Sequence, residues 1–194
     1  MNNEAIKILS EIKALETKLQ KEVEKHEEEL SYKIKNGFIE FKEEAIKEQR
    51  ENMKKLSTYL KEIPFLHLIT SPLIYAMIIP ALILDLTLFL FQQTVFRLYK
   101  FPLAKRSDFI VFDRHHLNYL NSIEKLNCLY CSYFNGLMAY AVEIAGQTEL
   151  YFCPIKHAKK RAFTHSKYKK FFDYGESSDY QKKLEELRES IKRG

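Results

Sequence analysis

Three cysteines and one histidine stand at spacings that suit metal or thiol chemistry. NCLYC at residues 127–131 carries Cys128 and Cys131, and CPIKH at residues 153–157 carries Cys153 and His157. Cys-x2-Cys offers two thiolates from one helical turn, and Cys-x3-His adds a third thiolate and an imidazole. Together they form a Cys3His set suited to tetrahedral zinc. The same shell also suits iron, as a single ion or as a two-iron cluster held by three cysteines and one histidine. Lys156, Lys159 and Lys160 flank the second pair and favour thiolates electrostatically. Two other chemistries compete for these residues. Cys128 and Cys131 alone would make a redox dithiol, although a mid-helix position denies the first thiol the helix N-terminus that usually activates it. All three cysteines would equally pack as small apolar side chains.

The first pair sits in a segment from about Asp113 to Ile144 that reads as one helix. At roughly 100° per residue, Asn121, Glu124, Cys131, Asn135 and Glu143 all lie within about 60° of Cys128. Leu117 and Ala139 fill the gaps in this stripe. Polar groups on a buried face cost free energy unless partnered, so the stripe is expected to meet water, a polar network or a metal. Glu124 and Glu143 are the candidates for acid/base work beside a metal. Glu149 would join them in a carboxylate-bridged centre, but no Glu-x-x-His pattern accompanies it. Asp113-Arg114-His115-His116 reads either as a source of an extra ligand or as an acid-led helix start. His26, His67 and His165 are isolated and read as structural. No phosphate-binding glycine loop, GxSxG elbow or HExxH motif is present.

The stretch FDRHHLNYLNSIEKLNCLYCSYFNGLMAYAVEIAGQTELYFCPIKHAKK resembles an uncharacterised bacterial family. The likeness rests on NC-x-YC, an NG pair, TE and CPIKH, with PLIYAMIIPALILDL similar to that family's membrane-proximal part. It covers residues 64–175 and implies that this region is one unit. It implies no activity.

The elements that would position these residues are sharply segregated in composition. The 194 residues are 46% hydrophobic and 29% charged, but the two classes sit in separate blocks. Residues 3–62 are charge-dense and helical. Ile8, Ile12, Leu15, Leu19 and Leu30, with Val23 and His26 filling in, form a seam spaced by three and four residues. Gly37 interrupts this pattern before FIEFKEEAIKEQRENMKKLSTYL resumes it. The seam would serve self-association, or fold back on its own domain.

Residues 73–91, LIYAMIIPALILDLTLFLF, then carry a single charge, Asp85. With PFLHLITSP before them, they are long enough to cross a bilayer core. Pro80 favours a break, and Asp85 is costly in lipid unless it faces protein, a cavity or a partner. Lys54, Lys55 and Lys61 on one side and Arg97, Lys100, Lys105 and Arg106 on the other leave three readings open: a span, a re-entrant hairpin, or a buried helix pair of a soluble domain.

Charge is uneven as well. The net charge is +5, yet residues 156–170 alone carry seven Lys/Arg and no acid, a patch suited to phosphates of lipid or nucleic acid. The tail SSDYQKKLEELRESIK has capping-box spacing at Ser178 and Gln181, and Leu184, Leu187 and Ile191 share one face. The N-terminal residues have no continuous apolar core of the signal-peptide kind, and unpaired thiols fit a reducing compartment.

The expectation is an all-α chain in four parts: a helical arm at 1–62, an apolar spanning or re-entrant segment at 63–105, a Cys/His helical domain at 106–176 and an amphipathic helix at 177–194. Its expected role is that of a membrane-associated, metal-binding protein with a structural or interaction function. It would lie on the cytoplasmic face of the inner membrane, against anionic lipids, and self-associate through its N-terminal helices. The alternatives are a zinc- or iron-dependent redox or hydrolytic enzyme using Glu124 or Glu143, and a nucleic-acid adaptor using residues 156–170.

Overall fold

A computed structural model describes the backbone of residues 3–29, 32–35 and 38–193 and the side chains of residues 10–22, 25 and 40–192. The chain is mostly helical, in line with the all-α expectation. It divides into two compact units, residues 1–61 with 113–125, and residues 62–112 with 126–194.

The first unit holds α1 (Asn3–Glu29), a two-stranded hairpin of β1 (Tyr32–Lys35) and β2 (Phe38–Phe41), α2 (Glu43–Glu51) and most of α3 (Leu56–Glu62). The hairpin was not expected from the pattern of residues. Its strands pair antiparallel from Tyr32↔Phe41 to Lys35↔Phe38. The sequence between them is Asn36-Gly37, the dipeptide that most favours a two-residue hairpin turn. The interruption expected at Gly37 lies outside the described residues. On α1, Ile12, Leu15 and Leu19 are 42%, 65% and 66% exposed, so their seam is left uncovered. Leu30 and the side chains of Ile8, Val23 and His26 lie outside the described residues. Gln49 on α2 accepts hydrogen bonds from the backbone N–H of Asn118, at 2.9 Å, and from its side-chain amide, at 3.4 Å.

The second unit is organised by two long helical runs. The first comprises α4 (Phe65–Ala76), α5 (Ile78–Phe91), a π-helical turn at Gln92–Phe96 and α6 (Arg97–Tyr99). Chain direction is not reversed at Pro80. Met77, between α4 and α5, keeps helical dihedrals (φ −61°, ψ −14°), and Pro80 lies in the first turn of α5, where a missing N–H costs little. The result is one run of 35 residues, Phe65–Tyr99, long and apolar enough to cross a membrane. Its second proline is also accommodated locally. Pro72 cannot donate to the Leu68 carbonyl, and the Ser71 hydroxyl donates to it instead, at 3.0 Å.

The second long run is α7 (Ser122–Phe152). Side-chain pairs Tyr75–Tyr130, Asp85–Tyr133, Gln92–Tyr140 and Tyr99–Tyr151 advance together along both chains, so the two runs lie parallel. A parallel pair needs a long return connection. Here residues 100–112 run back along the seam between the helices, led by Lys100 in the left-handed conformation (φ 57°). Phe101 and Ile110 from this return join Ala81, Phe96, Leu137, Tyr140 and Ile144 in the core. The last helix, α8 (Tyr180–Arg193), buries Leu184 and packs Ile191 at the core's edge. Arg188 donates to the Tyr151 carbonyl at 3.1 Å and lies over its ring.

Gly136 makes this layering possible. A β-carbon there would stand 2.6 Å from the Phe109 carbonyl oxygen and 2.8 Å from Ile110 Cα. Both are backbone atoms, so a side chain must push the return segment off α7. Gly136→Ala is therefore expected to cost about 1–3 kcal/mol. Ala145→Ser, at an exposed position of the same helix, should stay within about 0.5 kcal/mol. Thermal or denaturant unfolding measures both.

Candidate functional site

The start of α7 reassigns two of the candidate residues. The helix begins at Ser122 rather than near Asp113, because Asn121 and Glu124 build a reciprocal cap. Asn121 Oδ1 accepts from the backbone N–H groups of Ile123 and Glu124, at 3.0 and 3.1 Å. The Glu124 carboxylate in turn accepts from the Asn121 N–H at 2.9 Å. This is capping-box geometry with asparagine at the cap. Glu124 is thereby occupied in terminating the backbone, and Asn121 leaves the helical stripe. Asp113–His116 is a separate short turn, with Arg114–His116 in 3₁₀ conformation and the His115 and His116 rings 3.9 Å apart.

The stripe itself is only half formed. Cys128 is half-buried, while Cys131 and Asn135 are exposed on the same face. The Asn135 amide donates to the Cys131 carbonyl at 2.9 Å. Cys153 and His157 are exposed at the opposite end of the helix. Because α7 continues unbroken to Phe152, the 22 residues from Cys131 to Cys153 span about 33 Å at helical rise. The two pairs therefore do not meet around one ion. Among the described residues no group of three or more His, Cys, Asp or Glu side chains is arranged to hold a metal.

Polar side chains converge instead halfway along the apolar run. Arg106, on the return segment, donates from Nε and Nη2 to the two oxygens of Asp85, at 3.1 and 2.6 Å. The Tyr133 hydroxyl adds a third bond to Asp85 at 3.0 Å, and the Arg106 guanidinium lies 5.8 Å from the Tyr133 ring centre. Asp85 is thus held in fork-to-fork geometry. Two turns further on, the π-helical turn begins at Gln92, which is buried. Such turns often mark sites where a side chain must be re-aimed. The Gln92 amide pairs with the Ala104 backbone as a strand neighbour would: its oxygen accepts from the Ala104 N–H at 2.9 Å and its nitrogen donates to the Ala104 carbonyl at 3.4 Å. The same nitrogen also meets the Tyr140 hydroxyl. An open cleft of about 550 Å³ lies over this cluster, walled by Leu82, Leu86, Phe89 and Leu103.

Glu143 and Glu149 act elsewhere, as anchors for the basic segment. Ser166 donates to Glu143 at 2.8 Å, and Lys167 forms an ion pair with it at 2.8 Å. His165, read from the sequence as structural, is buried against Gly146 and lies 3.1 Å from Glu149. Its Nδ1 has no partner among the described residues. A β-carbon at Gly146 would stand 2.5 Å from that nitrogen, so the glycine makes room for the ring. Of the seven cations in residues 156–170, Lys156 pairs with Asp173 at 2.7 Å and Lys167 with Glu143. Lys159, Lys160, Arg161, Lys169 and Lys170 are exposed, as is Phe163 at 67%.

Arg106 was legible only as a flanking charge, and Gln92 not at all. The useful sequence signals were Asp85, whose isolation demanded a cation, and the two glycines within a helical pattern, which mark close approach.

Burial pushes the Glu143 carboxyl up, but the hydrogen bonds from Lys167 and Ser166 and the Lys167 charge outweigh it and hold the group below the ordinary carboxylate range. A carboxylate lowered on folding contributes its full stabilisation above its unfolded value and loses it as pH falls through the lowered one. Hydrogen exchange across residues 163–170, corrected for intrinsic rates, should therefore be steady from neutral pH down to about 4.5 and accelerate below it. Glu143→Gln should exchange about fivefold faster at neutral pH, the effect of a contact worth ~1 kcal/mol, and lose that acid-dependent acceleration.

No protein-family model matches this chain, so the resemblance to a bacterial family finds no support, and no curated protein or solved structure matches it.

Proposed function

We propose that this chain is a membrane-anchored helical protein whose α4–α5 run lies in the hydrocarbon layer and whose basic segment rests on anionic phospholipid headgroups. The observation that carries the reading is the outward display of apolar side chains along that run. Phe65, Leu73, Ile79, Ile83 and Leu86 are 76%, 75%, 61%, 62% and 60% exposed. An uninterrupted apolar surface of this length is not tolerated on a water-soluble monomer. The small hydroxyls of the run are, by contrast, satisfied at home. The four Ser and Thr side chains, Thr70, Ser71, Thr87 and Thr94, donate to carbonyls of their own helix, and its one acid is paired with Arg106. That is the arrangement a lipid environment demands.

Orientation follows from charge. The rings of Tyr99, Tyr151 and Phe152 touch, which places the start of the basic segment at the Tyr99 end of the run. Arg97 and Lys100 add to the positive charge there. Lys54, Lys55 and Lys61 stand at the opposite end, and the exposed cations of the basic segment are what tip the balance of positive charge; the reading therefore sets the Tyr99 end at the cytoplasmic face, with Phe163 inserting among the headgroups between exposed cations. The uncovered seam of Ile12, Leu15 and Leu19 then serves self-association. The reading invokes no zinc shared by Cys128, Cys131, Cys153 and His157 of one chain, since α7 holds the two pairs apart.

The full-length protein should float with lipid vesicles and stay with them through a high-pH carbonate wash, leaving only in detergent. Leu73→Lys with Ile83→Lys should abolish this, at about 3 kcal/mol per lysine near the helix centre. Release of the parent by carbonate or high salt would overturn the reading. Leu15→Glu with Leu19→Glu should reduce the detergent-solubilised protein to a monomer by light scattering; an unchanged mass removes α1 as the association surface.

A further inference from the structure

The return segment is poorly suited to face hydrocarbon. Ala104 meets Gln92 and Arg106 meets Asp85, so the residues between and just after them lie beside the second half of α5. Apart from the short 3₁₀ turn Arg106–Asp108, they are not helical. Lys105, Arg106, Ser107 and Asp108 are all exposed on the surface of the chain. The backbone N–H groups of Lys105, Arg106 and Ser107 have no acceptor among the described residues. Irregular backbone at membrane depth is stable only where protein covers it or where it lines a water-filled cavity. The described residues of one chain provide neither, since the neighbouring cleft over Asp85 is open.

The charges of the segment indicate what covers it. Arg106 is neutralised by Asp85. That leaves Lys105 and Asp108, opposite in sign, at the two ends of a turn closed by the Asp108 N–H donating to the Lys105 carbonyl at 3.0 Å. Neither side chain enters an ion pair among the described residues. Such a face is self-complementary. Across a two-fold axis the lysine of each copy meets the aspartate of the other, and both contacts form at once. A charge left in lipid without a partner is costly, and this arrangement leaves none.

We infer that residues 105–108 form an intramembrane contact between two copies of this chain, with Lys105 paired to Asp108 of the partner subunit. The inference rests on the membrane reading above and adds a second contact to association through α1. In a bilayer the contact shields the turn from lipid. In a detergent micelle water reaches the turn, and the seam of α1 carries association alone.

Cross-linking of the full-length protein in vesicles of phosphatidylcholine and phosphatidylglycerol tests this. Cys128, Cys131 and Cys153 are first replaced by serine. A single thiol is then introduced by Ser107→Cys or, at similar depth on the apolar run, by Ile83→Cys, at a 62% exposed position. Oxidation with copper phenanthroline should convert the Ser107→Cys chain to a disulfide-linked dimer on a non-reducing gel and leave the Ile83→Cys chain largely monomeric. Adding Lys105→Asp to Ser107→Cys sets like charges against each other and should slow cross-linking by roughly tenfold, the factor for one charge-assisted contact. Adding Asp108→Lys as well exchanges the two charges and should restore the rate, which damage to the fold would not do. Equal cross-linking at the two positions, or no recovery on charge exchange, overturns the inference. So does a Ser107→Cys chain that stays monomeric; ready reaction of its thiol with a membrane-impermeant maleimide would then assign the turn to a water-filled cavity. A Ser107→Cys chain that fails to float with the vesicles refutes the membrane reading itself, and the contact falls with it.

Discussion

A carboxylate set in an apolar helix must find a cation, and the pairing of Asp85 with Arg106 governs the path of the chain around it. The cation lies 21 positions further along the sequence, midway along a segment that has already turned back beside the helix. Satisfying Asp85 therefore requires the return of residues 100–112 along the seam between the two long runs. The requirement recurs two turns later. Gln92 projects from a π-helical turn and takes up both backbone groups of Ala104, which would otherwise be left unpaired between two helices. The rest of the return segment bonds mainly to its own backbone, through a 3₁₀ turn at Arg106–Asp108, so Ala104 is the point at which a side chain of the apolar run supplies backbone hydrogen bonds.

The parallel course of the two runs follows from the same constraint. Helices that are neighbours in sequence usually pack antiparallel through short loops. A return segment between them lets the second start again from the same end as the first. The cost is space, because a third backbone must fit between two helices. Gly136 provides it by bringing Phe109 and Ile110 directly onto α7. Gly146 does the same at the other end for the ring of His165, which draws the basic segment onto the helix. Glu143 and Glu149, which in sequence resemble catalytic or metal-binding carboxylates, are consumed in this anchoring. The electrostatic consequence is a basic segment fastened at two points with its remaining cations outward. That form suits a surface of phosphates better than a flexible tail would.

Much of the architecture was legible beforehand. The mostly helical character, the apolar run, the seam of α1 and the terminal amphipathic helix can all be read from periodicity, because each is a local property of consecutive side chains. The demand of Asp85 for a partner was equally readable. Where reading failed, a local pattern had two structural meanings. Asn121 and Glu124 fell on the same helical face as Cys128, but at a spacing of three they also make a cap, and the cap is what forms. Pro80 suggested a reversal, yet a proline in the first turn of a helix breaks no hydrogen bond. The Cys3His grouping assumed a turn between Cys131 and Cys153 that would bring the pairs together. Nothing in those residues compels a turn, and the helix simply continues.

The sequence by itself determined the largely helical character, the extent of the apolar run, and that its one acid required a partner. These follow from hydrophobic period and from the cost of an unpaired charge, both set by residues close together in the chain. Tertiary structure decided which cation answers Asp85, that Gln92 serves as a backbone mimic, and that the two cysteine-bearing motifs stand about 33 Å apart, 22 residues along one unbroken helix. Those outcomes depend on where distant segments lie in space. Several arginines and lysines were equally acceptable partners in sequence, and only the path of the return segment, admitted by a missing side chain at Gly136, selects Arg106.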